Sequence, residues 1–208
     1  MESNQLPEHG AFLHVGCGGK HANATPFAGL GWQEIRLDIN ADVQPDLIGS
    51  ITNMAAVQSG SVDAVFSSHN IEHLLPHEVP VALVEFRRVL KPSGFALITC
   101  PDLRSVCSLV ANDRLAEPAY VSPAGPIAPI DILYGHRASL QQGNLYMAHR
   151  CGFTEKVLVG SLQQAGFHQV ASLTRPYAFD LWALATCEAW PDAALRAAAT
   201  RLLPASSG

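Results

Sequence analysis

The sequence predicts an α/β fold in which a mostly parallel β-sheet is covered by helices on both faces. Continuously apolar runs, such as residues 11–15 and 95–100, are typical of strands buried on both sides. Between them, residues 79–90 place apolar side chains at helical spacing and charged side chains elsewhere. The length of 208 residues fits one domain, 1–208.

Composition and charge exclude several protein classes. With 48% hydrophobic and 15% charged residues, the chain can bury a globular core, which a disordered protein cannot. No stretch reaches the roughly 18 apolar residues of a membrane span, and residues 1–10 lack the features of a secretory signal. We therefore expect a cytoplasmic protein with no membrane partner. The formal net charge of −5 argues against a nucleic-acid partner, since such binding depends on clustered Lys and Arg.

The first half of the chain alternates strands with loops before its first clear helix. Strands are predicted at residues 11–15, 35–38, 46–48 and 62–66. The helix over 79–90 is expected to end in a turn at 91–94, because Pro92 cannot extend it and Gly94 favours a turn. Asp102, after the strand at 95–100, is suited to cap a further helix.

Residues 103–152 are predicted to form an ordered insertion that covers the carboxyl ends of the strands. Prolines interrupt its centre over 117–131, which excludes both a helix and a central strand there. Regular structure then resumes with a helix from Thr154 to Gly166. The strands predicted at 168–174 and 179–187 are joined by so short a connection that they should pair antiparallel. A terminal helix is predicted over 193–203.

A glycine-rich loop and a carboxylate indicate a nucleotide-like ligand. Gly16 and Gly18 follow the first strand, where glycine lets the backbone approach a ligand closely. Asp38 ends the next strand, from which a carboxylate can accept hydrogen bonds from ribose hydroxyls. The dinucleotide fingerprint GxGxxG would need glycine at position 21, where His21 stands. This favours an adenosine ligand without phosphates over NAD.

Four blocks in order resemble the class I S-adenosylmethionine-dependent methyltransferases, and the small type 11 group most closely. They are residues 13–18 (LHVGCG), 37–38 (LD), 61–74 (SVDAVFSSHNIEHL) and 88–95 (RVLKPSGF). The resemblance implies a Rossmann-like, seven-stranded sheet with an antiparallel C-terminal strand pair. It also implies S-adenosylmethionine as the cofactor and methyl transfer as the activity.

The resemblance also implies roles for individual residues. Gly16, Cys17 and Gly18 would line the methionine part of the cofactor, Asp38 would hold the ribose, and Ile39 would contact the adenine. The end of the fourth strand would face the region of methyl transfer through Ser67, Ser68 and His69.

The chain departs from the pattern of the family at several positions. His14 stands where the wider class often has an acid, and Lys20 where a further glycine is common. Ser50, a further predicted cofactor contact, occupies the place of an aspartate that reads the adenine amino group in many members. The short interval between Gly19 and the second strand leaves room for a short first helix or none.

Residues 69–73 also spell HxxEH, the inverted zinc-peptidase pattern. That chemistry needs both histidines on one helical face, whereas Pro76 and Pro80 prevent a long helix here. We therefore expect no metal. His69 is instead a candidate catalytic base, should the acceptor lose a proton as it attacks. For Glu72 and His73, we expect packing and hydrogen bonding at a helix start.

The insertion is the candidate acceptor site, with Tyr134 and His136 as catalytic candidates nearest the methyl group, because loops on a rigid sheet commonly supply substrate contacts. The expected acceptor is an oxygen or nitrogen of a small molecule. The alternative is a protein that binds S-adenosylmethionine or S-adenosylhomocysteine without catalysis. The sequence indicates no particular oligomeric state.

Overall fold

The structure, a computed structural model, describes residues 6–205. Within these residues nine strands form, in the following order: β1 (Ala11–Val15), β2 (Gln33–Asp38), β3 (Leu47–Ile48), β4 (Val62–Ser68), β5 (Leu90–Pro101), β6 (Tyr120–Ser122), β7 (Gly125–Ile127), β8 (Gln169–Arg175) and β9 (Asp180–Thr186).

Six α-helices lie in the same part of the chain: α1 (Val79–Val89), α2 (Leu103–Val110), α3 (Pro129–Tyr134), α4 (Arg137–Gln141), α5 (Glu155–Gln164) and α6 (Asp192–Leu202). Short 3₁₀ turns occupy Ala22–Ala24, Ala41–Val43, Ile71–His73 and Leu145–Met147. Between residues 6 and 205, no helix has the length and apolar character needed to cross a membrane.

The main sheet of the described chain has seven strands in the order β3-β2-β1-β4-β5-β9-β8. β1 to β5 pair in parallel, and β9 runs antiparallel to both β5 and β8. Only residues 176–179 separate β8 from β9, which is too short for a parallel crossover. The predicted fold class, a Rossmann-like sheet with an antiparallel C-terminal pair, is confirmed.

Each face of the sheet has its own hydrophobic core. Phe12 and Leu13, adjacent in β1, are both fully buried and belong to different clusters, because successive side chains of a strand point to opposite faces. On the Leu13 face, α1 and α5 contribute Leu83 and Leu158. On the Phe12 face, α6 contributes Leu202.

Aromatic packing replaces a first helix between β1 and β2. The connection contains one 3₁₀ turn, Ala22–Ala24, in agreement with the prediction of a short or missing helix. Phe27 lies on Phe12 with stacked rings 4.2 Å apart between centroids, and Trp32 packs beside it. These side chains cover the face that a helix would otherwise bury.

The turn predicted at residues 91–94 lies inside a strand, because β5 begins at Leu90. Its pairing with β4 shifts register here, from Val62 opposite Leu90 to Ala64 opposite Phe95. The extra residues of β5 are accommodated at Gly94, where a Cβ would lie 2.9 Å from the carbonyl oxygen of Asp63. Pro92 and Gly94 therefore lie at an irregularity within β5, and not in a turn that precedes the strand.

The insertion is more regular than its prolines predicted. β6 and β7 form an antiparallel hairpin separate from the main sheet, so that the exclusion of a central strand over 117–131 holds. The exclusion of a helix was wrong for the last residues of this range, because α3 begins at Pro129. Proline is tolerated in the first turn of a helix. Asp102 caps α2, as predicted, by accepting hydrogen bonds from the backbone N–H groups of Arg104 and Ser105.

Candidate functional site

A cavity of about 350 Å³ lies at the carboxyl ends of β1, β2 and β4, the place where open α/β sheets bind ligands. The structure brings six of the predicted site residues together around it: Gly16, Gly18, Asp38, Ile39, Ser50 and His69. Further walls come from residues 70–78 and 144–150.

The glycine loop has a backbone that other residues adopt only with strain. Gly16 and Gly18 have φ angles of +59° and +51°, in the left-handed region that glycine enters without a steric penalty. A Cβ at Gly16 would collide with the side chain of Asn70. No described atom lies within 4 Å of a Cβ built at Gly18, so that position faces open space.

Asp38 connects the glycine loop to the second strand. Its Oδ2 accepts a 2.8 Å hydrogen bond from the backbone N–H of Gly18, and its Oδ1 accepts one of 2.9 Å from that of Asn40. The side chain is nearly buried at the cavity wall. Since each carboxylate oxygen has two lone pairs, Asp38 keeps capacity to accept further hydrogen bonds from a ligand.

The buried guanidinium of Arg36 fixes the loops on either side of the cavity, a role that the sequence did not predict. It donates to the carbonyl oxygens of Gly18 at 2.6 Å and Lys20 at 3.2 Å. It also donates to those of Val43 at 3.2 Å and Gln44 at 2.8 Å. Arginine suits this task because it presents five N–H donors in a rigid plane.

His14 on β1 is buried and takes part in a side-chain hydrogen bond. Its Nδ1 lies 2.7 Å from Oε1 of Glu34 on β2. Burial lowers the pKa of His14, while the hydrogen bond and charge of Glu34 oppose this shift. Because a carboxylate oxygen accepts, the Nδ1–H of His14 donates the hydrogen bond to Glu34. The same glutamate accepts a hydrogen bond from the backbone N–H of Ala22, so the pair orders the start of the β1–β2 connection.

Three predicted cofactor contacts do not line the cavity. Cys17 is 1% exposed, and burial raises the pKa of its thiol to about 11. Ser67 is fully buried, and its Oγ has no hydrogen-bond partner in the part of the chain that the structure describes. Ser68 is partly buried at the end of β4, outside the cavity wall. Their roles stay predictions.

A second cavity, of about 440 Å³, adjoins the first, and half of its lining residues belong to the insertion. His69, His73 and Met147 belong to the walls of both cavities. His136 lines the second cavity, with its Nδ1 2.8 Å from Oγ of Ser139. Tyr134 is 64% exposed and lines neither of these two cavities, so its catalytic role also stays a prediction.

His69 stands where the two cavities meet. Its φ angle of +49° is uncommon for a residue with a Cβ, and its backbone N–H donates a 2.9 Å hydrogen bond to the carbonyl of Thr99 on β5. Its Nδ1 lies 3.3 Å from Oε1 of Glu72. The ring is about half exposed, which leaves it accessible to ligands on either side.

Met147 is held in the shared wall by the corner between α3 and α4. The corner residue is Gly135, with a φ angle of +101°. A Cβ at this position would collide with the carbonyl oxygen of Met147. Glycine at this corner therefore allows the α3–α4 corner to pack directly against the 3₁₀ turn Leu145–Met147 of the same insertion.

Asn70 is a further cavity residue that sequence reasoning missed. It packs over Gly16 and lines the first cavity, and its amide nitrogen is buried without a hydrogen-bond partner among residues 6–205. Buried polar groups are normally satisfied, so the amide marks a place for a ligand atom. Its position two residues after the end of β4, next to the predicted site residue His69, was the signal available in the sequence.

A family model described as a methyltransferase domain matches residues 13–98. No curated protein sequence matches the chain. Among solved structures, a protein of Pyrococcus horikoshii is 15% identical, with a TM-score of 0.59 and coverage of 86% of this chain and 82% of that one.

Two other solved structures carry functional names. A methyltransferase of Thermotoga maritima, described as a possible histamine N-methyltransferase, is 17% identical with a TM-score of 0.53, and coverage is 88% of this chain and 84% of that one. A 1,6-didemethyltoxoflavin N1-methyltransferase of Burkholderia thailandensis, solved with that compound and S-adenosylhomocysteine, is 15% identical. Its TM-score is 0.51, with coverage of 85% of this chain and 69% of that one. At these identities the likeness shows the fold.

Proposed function

We propose that this chain, a class I S-adenosylmethionine-dependent methyltransferase with its methyltransferase domain at residues 13–98, methylates an oxygen or nitrogen atom of a small molecule. The observation that carries the proposal is the shared wall of the two cavities, formed by His69, His73 and Met147. A methyl donor beside Asp38 and an acceptor beside His136 would meet at this wall.

The first cavity has polar groups that fit S-adenosylmethionine. Asp38 has acceptor capacity left for the ribose hydroxyls, and the open space at Gly18 lets the ligand approach the backbone. The unpartnered amide of Asn70 can donate to the carboxylate of the methionine part. When bound, this cofactor supplies an electrophilic methyl group on a sulfonium sulfur.

The second cavity fits a small acceptor. Its volume of about 440 Å³ lies within the roughly 300–1,000 Å³ of typical small-molecule sites, and the net charge of −5 disfavours nucleic acid. The Burkholderia neighbour is named for methylation of a small molecule. Residues Asp131, His136 and His149 contribute to the wall, which supports 103–152 as a cover within a single domain, 1–208.

The shared wall also supplies a candidate base. His69 is accessible from both cavities and can take a proton from the acceptor if the acceptor must lose one. Methyl transfer is a displacement in which the acceptor attacks the methyl carbon, and alignment of donor and acceptor by the surrounding walls can supply most of the rate acceleration.

Calorimetry and a labelled methyl donor test the proposal. We expect S-adenosylmethionine and S-adenosylhomocysteine to bind and NAD not to bind. Asp38→Asn should weaken S-adenosylhomocysteine binding by about 10- to 100-fold, on the order of 1.4 to 2.7 kcal/mol, whereas the exposed control Asp192→Asn should not. With a metabolite extract as acceptor, label should enter the small-molecule fraction. Binding without any label transfer would contradict the proposal and favour a non-catalytic binder.

A further inference from the structure

Glu72 is a buried carboxylate without a hydrogen bond to either side-chain oxygen. It is 1% exposed and lies in the 3₁₀ turn Ile71–His73, beneath the second cavity. Among residues 6–205, neither Oε1 nor Oε2 accepts a hydrogen bond. An ionised carboxylate removed from water is strongly destabilising unless a cation or hydrogen-bond donors compensate it. The ion-pair contact of Glu72 within residues 6–205 is with His69, whose Nδ1 lies 3.3 Å from Oε1 outside hydrogen-bond geometry. Both carboxylate oxygens therefore keep lone pairs with which to coordinate a metal cation.

Two histidines beside this carboxylate have their ring orientations fixed by the backbone. Nδ1 of His73 lies 3.1 Å from the carbonyl oxygen of Ala148, and Nδ1 of His149 lies 2.7 Å from that of Ile132. A carbonyl oxygen can only accept, so both Nδ1 atoms carry the hydrogen. In the tautomer that carries the hydrogen on Nδ1, each ring offers the lone pair of Nε2, the arrangement that orients histidines as metal ligands.

The three side chains converge on one point. Each offers a ligand atom, and these atoms all lie within 4.8 Å of one another. The rings of His73 and His149 meet edge to face, with centroids 4.9 Å apart. Metal–ligand distances of about 2.1 Å would place two ligand atoms at most about 4.2 Å apart, so even a pair at the 4.8 Å limit would need to close by only about 0.6 Å to share an ion.

We propose that Glu72, His73 and His149 bind one divalent transition-metal ion through the carboxylate and the two Nε2 atoms. Imidazole ligands favour ions such as Zn²⁺ over Mg²⁺, which prefers oxygen. The absence of a long helix, the basis for expecting no metal, does not exclude this site. His149 reaches the cluster from the insertion and therefore needs no helical spacing from His73.

The position of the site indicates the class of acceptor, an inference that rests on the proposed function. Three protein ligands leave a coordination position open. All three residues line the second cavity, and His73 also borders the first. The acceptor would therefore carry an oxygen that binds the ion, such as a hydroxyl or a carboxylate, and the ion would hold that oxygen near the donor.

Calorimetry with Zn²⁺ on the full chain, first treated with a chelator, tests the metal site without any methyl donor. We expect one ion per chain, bound more tightly than Mg²⁺. His149→Gln should weaken the affinity about 100-fold, while His77→Gln, at an exposed histidine outside the cluster, should leave it unchanged. Equal affinity in His149→Gln and the parent protein, or loss in His77→Gln, would overturn the proposal.

Thermal unfolding of Glu72→Gln separates a ligand from a structural carboxylate. In the metal-free state this variant should unfold at the same temperature as the parent protein or higher, because it buries no charge. Zn²⁺ should raise the unfolding temperature of the parent protein but not that of Glu72→Gln. A variant that is less stable than the metal-free parent would instead show that Glu72 is compensated within the chain, against the proposal.

Acetohydroxamate, a chelating oxygen donor, probes the open position. It should bind to the Zn²⁺-loaded protein and not to the metal-free protein, and binding without Zn²⁺ would contradict the acceptor assignment. S-adenosylhomocysteine binding is measured in the same samples. If it persists while Zn²⁺ fails to bind, the metal site is wrong and the methyltransferase proposal stands. If Zn²⁺ binds and S-adenosylhomocysteine does not, the metal site stands and the methyltransferase proposal is wrong.

Discussion

Arg36 donates a 2.6 Å hydrogen bond from Nη2 to the carbonyl oxygen of Gly18, which joins the second strand to the glycine loop beneath the first cavity. The same guanidinium also binds carbonyls of the loop at residues 43–44. Asp38 also holds the glycine loop, through the backbone N–H of Gly18, but the Arg36 guanidinium binds carbonyls of both loops. The placement of the two loops relative to one another therefore depends in part on this buried arginine.

Replacing Arg36 by lysine should disturb cofactor binding as well as stability. Lysine keeps the charge but offers three donors from a single atom, which cannot reach carbonyls on both loops. We expect a loss of roughly 2–4 kcal/mol in the free energy of unfolding and about tenfold weaker S-adenosylhomocysteine binding. Arg104→Lys, at an exposed position, is the control. Unchanged affinity in Arg36→Lys would show that the guanidinium does not position the loop.

Alanine at Gly18 should affect ligand binding beyond its effect on the backbone. Gly60 has a similar φ, +64° against +51°, and also has no described atom within 4 Å of a built Cβ, but it lies outside both cavities. Each substitution should cost about 1–2 kcal/mol of stability from left-handed strain. Only Gly18→Ala should weaken S-adenosylhomocysteine binding in calorimetry. Equal losses in both variants would argue against ligand contact at Gly18.

The ion pair between Asp131 and Arg137 should make the free energy of unfolding depend on pH in the acidic range. The hydrogen bond from Arg137 lowers the pKa of Asp131 to about 2, below the value of about 3.9 in an unfolded chain. The stabilisation is therefore complete above the unfolded value and is lost as the pH falls through about 2. It should amount to about 1–2 kcal/mol, because solvent screens the exposed Arg137.

Urea unfolding between pH 2 and 7 measures this effect. The stability difference between the parent protein and Asp131→Asn should shrink as the pH falls below 4. Glu117→Gln is the control, since the pair of Glu117 with Arg114 is exposed at both ends. A difference that stays constant across this pH range would contradict a lowered pKa at Asp131.

Substitutions at His136 and Tyr134 test the two predicted acceptor residues against each other. His136 lines the second cavity, whereas Tyr134 is exposed outside it. Once an acceptor is identified, His136→Ala should lower kcat/KM about tenfold or more, and Tyr134→Phe should change it less than about twofold. A larger loss in Tyr134→Phe would support the role that the sequence predicted for its hydroxyl.

Local patterns explain why much of the fold was predictable. β1 matches its predicted bounds because the apolar run ends at a glycine with positive φ. The antiparallel pair followed from a connection too short for any other arrangement. β5 was misjudged at Leu90, since its pairing across a register shift depends on β4 and not on the local sequence.

The candidate site was predictable where residues follow strand ends. Gly16, Asp38 and His69 surround one cavity because parallel strands place their carboxyl ends at one edge of the sheet. Arg36 was missed because its partners lie on separate loops that only the folded chain brings together. The meeting of Glu72 and His149 was hidden for the same reason, as the insertion carries the second residue to the first.

The close packing of Gly135 against the backbone of Met147 restricts how far the shared wall of the two cavities can move. The side chains of the shared wall can rotate, but the main chain at Met147 has no free space toward the α3–α4 corner. Under the proposed function, the Met147 backbone cannot move toward this corner to enlarge the space on either side of the shared wall. A bulkier acceptor for the proposed reaction would then have to be accommodated by side-chain rotation at the shared wall or elsewhere in the second cavity.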